Sequence, residues 1–327
     1  MFVKRIKSHY ILAKIVKDCL NLKRYLKLAR YNKKFQERLE LSLENYKDYS
    51  QIKIEIILKK EELNQQNNYF IKMNGNREYY HFYFDDNDEE ADRNYIYKGE
   101  NVKKIKIYID GFITNLSEMF QNCYFIEKIK FLHFSRSNVN NMSKMFQGCK
   151  KLSDLDLTNF EAKNVTNMSH IFNGCSSLQK LDLINFNTQN VTDMSFMFNS
   201  CEKLEEISNF NFNTEKVINM KYMFWGCSKL KQIDVSKFNT SNVIDMSFMF
   251  YGCTLLNELN IDNFKAGKVL NMTAMFSDCR NLTKLALAKF EINEGAEMKW
   301  MFSHCPEELI IEIKYFYKNF KKEAFLE

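Results

Sequence analysis

Eight cysteines, Cys123, Cys149, Cys175, Cys201, Cys227, Cys253, Cys279 and Cys305, recur every 26 residues. Thiols ligate zinc, pair as disulfides or act as nucleophiles, so this column is the first candidate for chemistry. A zinc site needs close pairs such as C-x-x-C, which bring thiolates within ~4 Å of one ion. The sequence holds no such pair. Cysteines stacked one strand apart would fall in the Cα window of a disulfide, but parallel Cβ vectors disfavour its torsion. The spacing therefore predicts a column of small buried thiols. The histidines His9, His81, His133, His170 and His304 are scattered, and H-E-x-x-H, phosphate-loop and G-x-S-x-G patterns are missing. The acidic run DDNDEEAD from Asp85 lacks the ligand spacing and terminal Glu of a calcium loop and reads as a solvated loop. Carboxylates paired by repetition show no pocket that would shift their pKa. No catalytic residue, metal ligand or cofactor site is expected, and the chain reads as non-enzymatic.

What the thiols share is a period, and a period of this size signals a solenoid whose units stack on one another. Seven residues before the cysteines stand Leu116 and then Met142 through Met298, and Phe stands three before, from Phe120 to Phe302. Apolar residues follow at three, six and eight positions, with Phe134, Phe160, Phe186, Phe212, Phe238, Phe264, Phe290 and Phe316 at eleven. Met194, Met197, Phe198 and Cys201 lie at i, i+3, i+4 and i+7, which predicts a two-turn helix. Asp193 or Ser195 can cap it, and Gly148, Gly174, Gly226 and Gly252 suit its end. The segment LQKLDL, Leu178 to Leu183, has the period of a strand. The fold class is an α/β repeat solenoid with one parallel strand and one short helix per unit. A single coil cannot bury its own apolar set, so the copies are needed.

The segments CSSLQKLDLINFNTQNVTDMSFMF and CSKLKQIDVSKFNTSNVIDMSFMF carry the patterns L-x-x-L-x-L, F-N-T-x-N-V-T-x-M and M-F-x-G-C. With these the chain closely resembles the BspA-like class of leucine-rich repeats over about residues 112–316. The resemblance implies a right-handed leucine-rich-repeat solenoid and a role in protein binding or adhesion. Bacterial members are often secreted surface proteins, so a secreted surface adhesion protein is one alternative. The start MFVKRIKSHYILAKIVKDCL opens like a signal peptide, but Lys14 and Lys17 interrupt its apolar run. The expected place is intracellular, in the cytoplasm, with the cell surface as the alternative if export uses another signal.

The 327 residues are 45% hydrophobic with one proline and nine glycines, a folded composition short of the turn punctuation of an all-β sandwich. The net charge of +6 is uneven, with about ten net positive charges in residues 1–60. No run of ~18 apolar residues marks a transmembrane segment. Four regions follow: a basic helical segment 1–45, a small β-rich N-terminal cap 46–111, the leucine-rich-repeat solenoid 112–316 and a C-terminal tail 317–327. In the cap, YSQIKIEIIL reads as a strand, YFIKM and EYYHFYF as a hairpin across Asn74, Gly75 and Asn76, and KKIKIYID as the strand that covers the solenoid end. The stretch YILAKIVKDCLNLKRYLKLARYNKKFQERL weakly resembles an F-box in the rhythm of Ile11, Leu12, Ile15, Val16, Leu20, Leu26 and Phe35, without its usual Leu-Pro start. That resemblance implies a substrate adaptor of a cullin ubiquitin ligase. Lys and Arg are scattered around these helices, which argues against nucleic acid and leaves open a contact of the basic N-terminus with an anionic membrane surface.

Side chains alternate on a strand, so positions five, seven and nine after each cysteine face outward. The middle column reads Lys130, Asp156, Asp182, Ser208, Asp234, Asn260, Ala286 and Glu312. Ile184 and Phe210 are expected as exposed apolar neighbours in adjacent coils, a pattern that marks contact sites. The candidate partner-binding residues are Asp156, Asp182, Ile184, Phe210, Asp234, Glu258 and Asn260. The function they suggest is a scaffold that binds another protein on its sheet face.

Overall fold

A computed structural model of the chain describes residues 51–59, 63, 65–110, 113–136, 139–288 and 290–326. The basic segment 1–45, with its F-box-like rhythm, lies outside them. The strands are β1 (Ile52–Leu58), β2 (Asn67–Tyr69), β3 (Tyr80–Phe84), β4 (Glu90–Ala91), β5 (Tyr95–Tyr97), β6 (Lys104–Ile109), β7 (Ile126–Arg136), β8 (Asp154–Asp156), β9 (Phe160–Ala162), β10 (Lys180–Asp182), β11 (Glu206–Ser208), β12 (Glu258–Asn260), β13 (Lys265–Ala266), β14 (Lys284–Ala286) and β15 (Glu291–Ile292), followed by helix α1 (Glu307–Phe316). The largest sheet runs β4-β3-β6-β1-β7-β8, with β9 also on β7, and no sheet closes.

The cap is wired differently from its sequence reading. IKIEIIL, not KKIKIYID, meets the first repeat: β1 lies antiparallel between β6 and β7, with Ile54 opposite both Ile107 and Phe131. Strict alternation buries Ile52, Ile54 and Ile56, which fits β1 for a central position paired on both edges. The expected hairpin is not formed. β2 pairs with β5, and β3 pairs with β6 and β4. The segment around Asn74 closes the open end of the repeats instead. Lys72 donates its N–H to the Met119 carbonyl (2.7 Å) and Asn74 Nδ2 donates to the Ser117 carbonyl (2.7 Å).

Each unit was expected to carry a short helix, and a run of turns stands in its place. In the unit ending at Cys201, the N–H groups of Met194, Phe196, Phe198 and Ser200 donate to Asn219, Lys221, Met223 and Trp225 of the next unit, at 3.1, 3.0, 2.8 and 2.7 Å. The amides between them, Met197, Asn199 and Cys201, donate three residues back to Met194, Phe196 and Phe198. The same division recurs from Leu116 to Asp278. Two left-handed residues per unit make it geometrically workable, one five before the cysteine, such as Phe196 (φ 57°), and one immediately before it, such as Gly174 (φ 75°) or Ser200 (φ 56°). A helix would turn every amide back on its own segment. Here alternate amides point along the stack, so backbone polar groups are satisfied only when a neighbour is present. The Gly before the cysteine, read as a helix terminator, is one of these left-handed positions.

The side chains inside follow the expected columns. Met194, Met197, Phe198, Cys201 and Leu204 are buried, as are their counterparts in the neighbouring units. Phe146, Phe172, Phe198, Phe224 and Phe250 stack ring on ring at centroid distances of 5.6, 5.4, 5.2 and 5.4 Å. Each thiol from Cys149 onward donates to the carbonyl of a Phe in the preceding unit, as Cys201 Sγ does to Phe172 (3.2 Å) and Cys227 Sγ to Phe198 (3.1 Å). Burial pushes the Cys201 and Cys253 thiols up to about 12, which keeps them protonated as donors. The cysteines of the described residues are free and buried.

The last unit departs from the pattern. Pro306 supplies no amide after Cys305, and Glu307 and Glu308 favour the start of α1 through the helix dipole. Glu312 and Phe316, expected in the strand and Phe columns, therefore lie on this helix, with Phe316 66% exposed. Phe320 takes the vacated place, stacking on Phe290 and meeting the edge of Phe302. The carbonyls of Glu323 and Ala324 accept the amides of Trp300 and Phe302, as a further unit would.

Phe198 sits in the middle of the ring column with no exposed surface. Phe198→Ala should lower unfolding free energy by about 3–5 kcal/mol in a denaturant titration; an unchanged midpoint would rule out the stacked core.

Candidate functional site

The outward column that the sequence marked for binding first serves the chain. Asp156, Asp182, Asp234 and Asn260 each accept, through Oδ1, the N–H two residues on, from Thr158, Ile184, Ser236 and Asp262, at 2.9–3.0 Å. Each closes an Asx turn that bends the chain off the sheet. At Asp234 the hydroxyl and N–H of Ser236 hold the carboxyl below its usual range. At Asp156 burial pulls upward, but the Thr158 hydrogen bonds and the Lys130 ammonium outweigh it and lower the pKa. Charges alternate between neighbouring units at Lys128 with Asp154 (3.3 Å), Lys130 with Asp156 (3.3 Å) and Lys180 with Glu206 (3.0 Å). Opposite charges thus face one another at these three junctions, two of them in the column five after the cysteine.

Ile184 is 59% exposed, as expected, whereas Phe210 is buried and does not join it on the surface. Asn209 adopts φ 54°, which breaks the in-out alternation and turns Phe210 into the core. There it wedges between two members of the Phe column, 4.6 Å from Phe212 and 5.4 Å from Phe238, where the units on either side stack directly at 6.2 and 6.3 Å. Beside the wedge the sheet is interrupted. β11 pairs with β10 and β12 with β14, while residues 231–235 between them form no strand. Among the described residues the amides of Gln232, Ile233 and Asp234 have no hydrogen-bond partner. The turn side of the same unit keeps its full set of bonds to both neighbours.

Over this interruption lies a cleft of about 880 Å³ lined by Lys231, Gln232, Asp234, Glu258, Asn260 and Lys284, among others. The structure thus brings together Asp234, Glu258 and Asn260, places Asp156, Asp182 and Ile184 on the same run of units outside the cleft lining, and removes Phe210 from the surface. Gln232 Nε2 donates to Glu258 Oε1 (3.3 Å) across the cleft floor. Lys231, four after its cysteine and so outside the outward-column rule, lines it as well, as does Gln232, an outward position that is not among the candidates. The cleft offers cations, carboxylates and unpaired backbone donors, a mixture suited to a polar polypeptide surface. Among the described residues no group of three His, Cys, Asp or Glu could hold a metal ion, and no helix is long and apolar enough to cross a membrane.

A second feature lies on the turn side and went unread in the sequence. His170, Phe196, Tyr222 and Phe248, each five before a cysteine, form a half-buried ring stack with spacings of 4.3, 4.6 and 4.7 Å and interplanar angles of 8°, 4° and 9°. Trp225 and Tyr251 stack alongside at 5.9 Å. Burial, with help from the Lys144 and Lys221 ammoniums, lowers the His170 pKa against the pull of Asp193. Four aromatic side chains in successive copies at one position were the available signal; inclusion of that position in the expected helix obscured it.

A family described as "Mycoplasma protein of unknown function, DUF285" matches at residues 114–232 and 206–310. Among solved structures, a leucine-rich repeat protein from Bacteroides ovatus is similar at 14% identity, over 67% of this chain and 87% of that one, with a TM-score of 0.21. No curated protein matches the chain.

Two measurements bear on these surfaces. In native-state hydrogen exchange, the amides of Gln232, Ile233 and Asp234 should exchange near the unprotected rate while those of Phe198 and Phe224 exchange only on global unfolding; equal protection would mean the sheet is continuous. His170 is neutral in the folded chain, so as pH falls through about 6.5 the unfolded state binds a proton that the folded state refuses. Stability contributed above that pH should be lost down to the lowered folded pKa. His170→Phe should remove this component from the melting temperature between pH 7.5 and 5.5, and an identical pH slope in the variant would contradict it.

Proposed function

The chain belongs to the DUF285 family, and from the geometry of its repeats we propose that it is a non-enzymatic scaffold, a right-handed leucine-rich-repeat solenoid that binds another protein on its exposed sheet face. The observation that carries this reading is the cleft at the interrupted sheet. A sheet whose only task was to stack would gain from continuous pairing through residues 231–235. Instead this unit keeps its full set of bonds at its turn side, while at its strand side the Asn257 N–H to the Lys231 carbonyl (3.3 Å) is the backbone link to the next unit, beside side chains of both charges. Units stacked at ~4.8 Å give a face long enough for the ~800 Å² per partner of a standard interface. Charges of both signs at fixed spacing favour one partner over others more than they add to affinity.

Lys231 and Glu258 are exposed and take no part in the core. Affinity capture with mass spectrometry should therefore recover a defined partner with the natural chain and lose it with Lys231→Glu plus Glu258→Lys, at an unchanged melting temperature. The same partner retained by the double variant would move the binding site elsewhere.

A further inference from the structure

We propose that the ring stack of His170, Phe196, Tyr222 and Phe248 is a self-association surface on which two copies of this chain pair side by side and antiparallel. The rings are not there for the backbone. Lys144 (φ 59°) and Ala274 (φ 51°) occupy the same position in flanking units with the same left-handed conformation. Their amides make the same bonds to the next unit, to Ser169 and Lys299, both at 2.9 Å. Left-handed backbone disfavours bulky side chains and prefers Gly or Asn, yet Phe196, Tyr222 and Phe248 stand there at φ 57° with rings only half buried.

The stack narrows the choice of occupant. Its rings cover one another's faces and turn their edges outward, and ring edges carry the positive end of the aromatic quadrupole. A matching surface must place side chains at the same spacing of 4.3–4.7 Å over four successive rungs. A globular partner would meet one or two rungs in register, whereas a second copy of this chain has the identical rise along its whole length. Closed pairing of identical surfaces requires a two-fold axis. An axis along the stack would set each rung against itself, with Lys221 opposite Lys221 and Lys144 opposite Lys144, so the charges favour an axis across the stack, which sets the copies antiparallel.

The flanking charges agree with that symmetry. An axis between Phe196 and Tyr222 sets the unit carrying Lys221 opposite the unit carrying Asp193 in the other copy, once on each side of the axis. Lys221 Nζ lies 6.0 Å from the Phe196 ring centroid, at the rim of the stack. Asp193 uses Oδ1 to accept the Ser195 N–H (2.9 Å), leaving its other oxygen for a cation. In the same register Lys144 falls opposite the Ala274 unit, so like charges do not meet.

Sedimentation velocity on the full chain, from about 1 to 100 µM, reads the outcome directly. The natural chain should shift from monomer to dimer across this range. Phe196→Asn with Tyr222→Asn should stay monomeric, and because Asn suits left-handed backbone, which offsets part of the lost ring burial, the variant still folds, as a cooperative melt would verify. Lys221→Asp sets acid against acid and should weaken the dimer by about tenfold or more. A natural chain that stays monomeric throughout overturns the proposal, as does a dimer that survives the Asn pair. A dimer lost in the Asn pair but unmoved by Lys221→Asp would overturn the antiparallel register.

Discussion

Every other feature of the molecule depends on how the turn segments divide their amides. Alternate N–H groups serve their own unit and the rest serve the next, so each unit is polar-complete only in company. The hydrophobic columns need the same company, because Met194, Phe198 and Cys201 are covered by residues 26 positions away in each direction. Hydrogen bonding and apolar burial therefore impose one period, and neither could drift without the other. The thiol column tightens the coupling. Its donors stay protonated through burial and bond across the same junctions that the backbone spans.

Stacking of this kind creates two open ends, and the chain closes both with segments that imitate a unit. Lys72 and Asn74 donate to carbonyls of the first unit, and Glu323 and Ala324 accept amides of the last. The mixed sheet at the N-terminal end, with β1 antiparallel to β7, also covers a strand edge that would otherwise be available for aggregation.

The core was legible because burial follows period, and the period is written eight times. Phe198, Met220 and Cys253 could be placed from spacing alone. The helix was misread for a related reason: a spacing of i, i+3, i+4 and i+7 describes which residues face inward, and a run of turns with two left-handed residues per unit meets the same condition. Asp182 and Asp234 looked like a binding column because their charge is visible in sequence, whereas their turn-closing bonds to Ile184 and Ser236 depend on backbone geometry. Phe210 was misplaced by one left-handed residue at Asn209, which a strict alternation rule cannot foresee. The pairing of β1 with β7 joins residues some seventy positions apart, beyond the reach of any local pattern. The cleft was half legible, through Asp234, Glu258 and Asn260, since its cause is the wedge rather than the residues that line it.

The direction of the junction bonds gives the molecule a mechanical character. They run along the stacking axis, so tension applied between the two ends is carried by every junction in series, and the weakest junction yields first. Under such a load the stack would yield as a series of small, equal releases, each freeing 26 residues or about 90 Å of extended chain. Side loads would be shared among all units. The array is in this sense a stiff rod across its axis and an extensible tether along it.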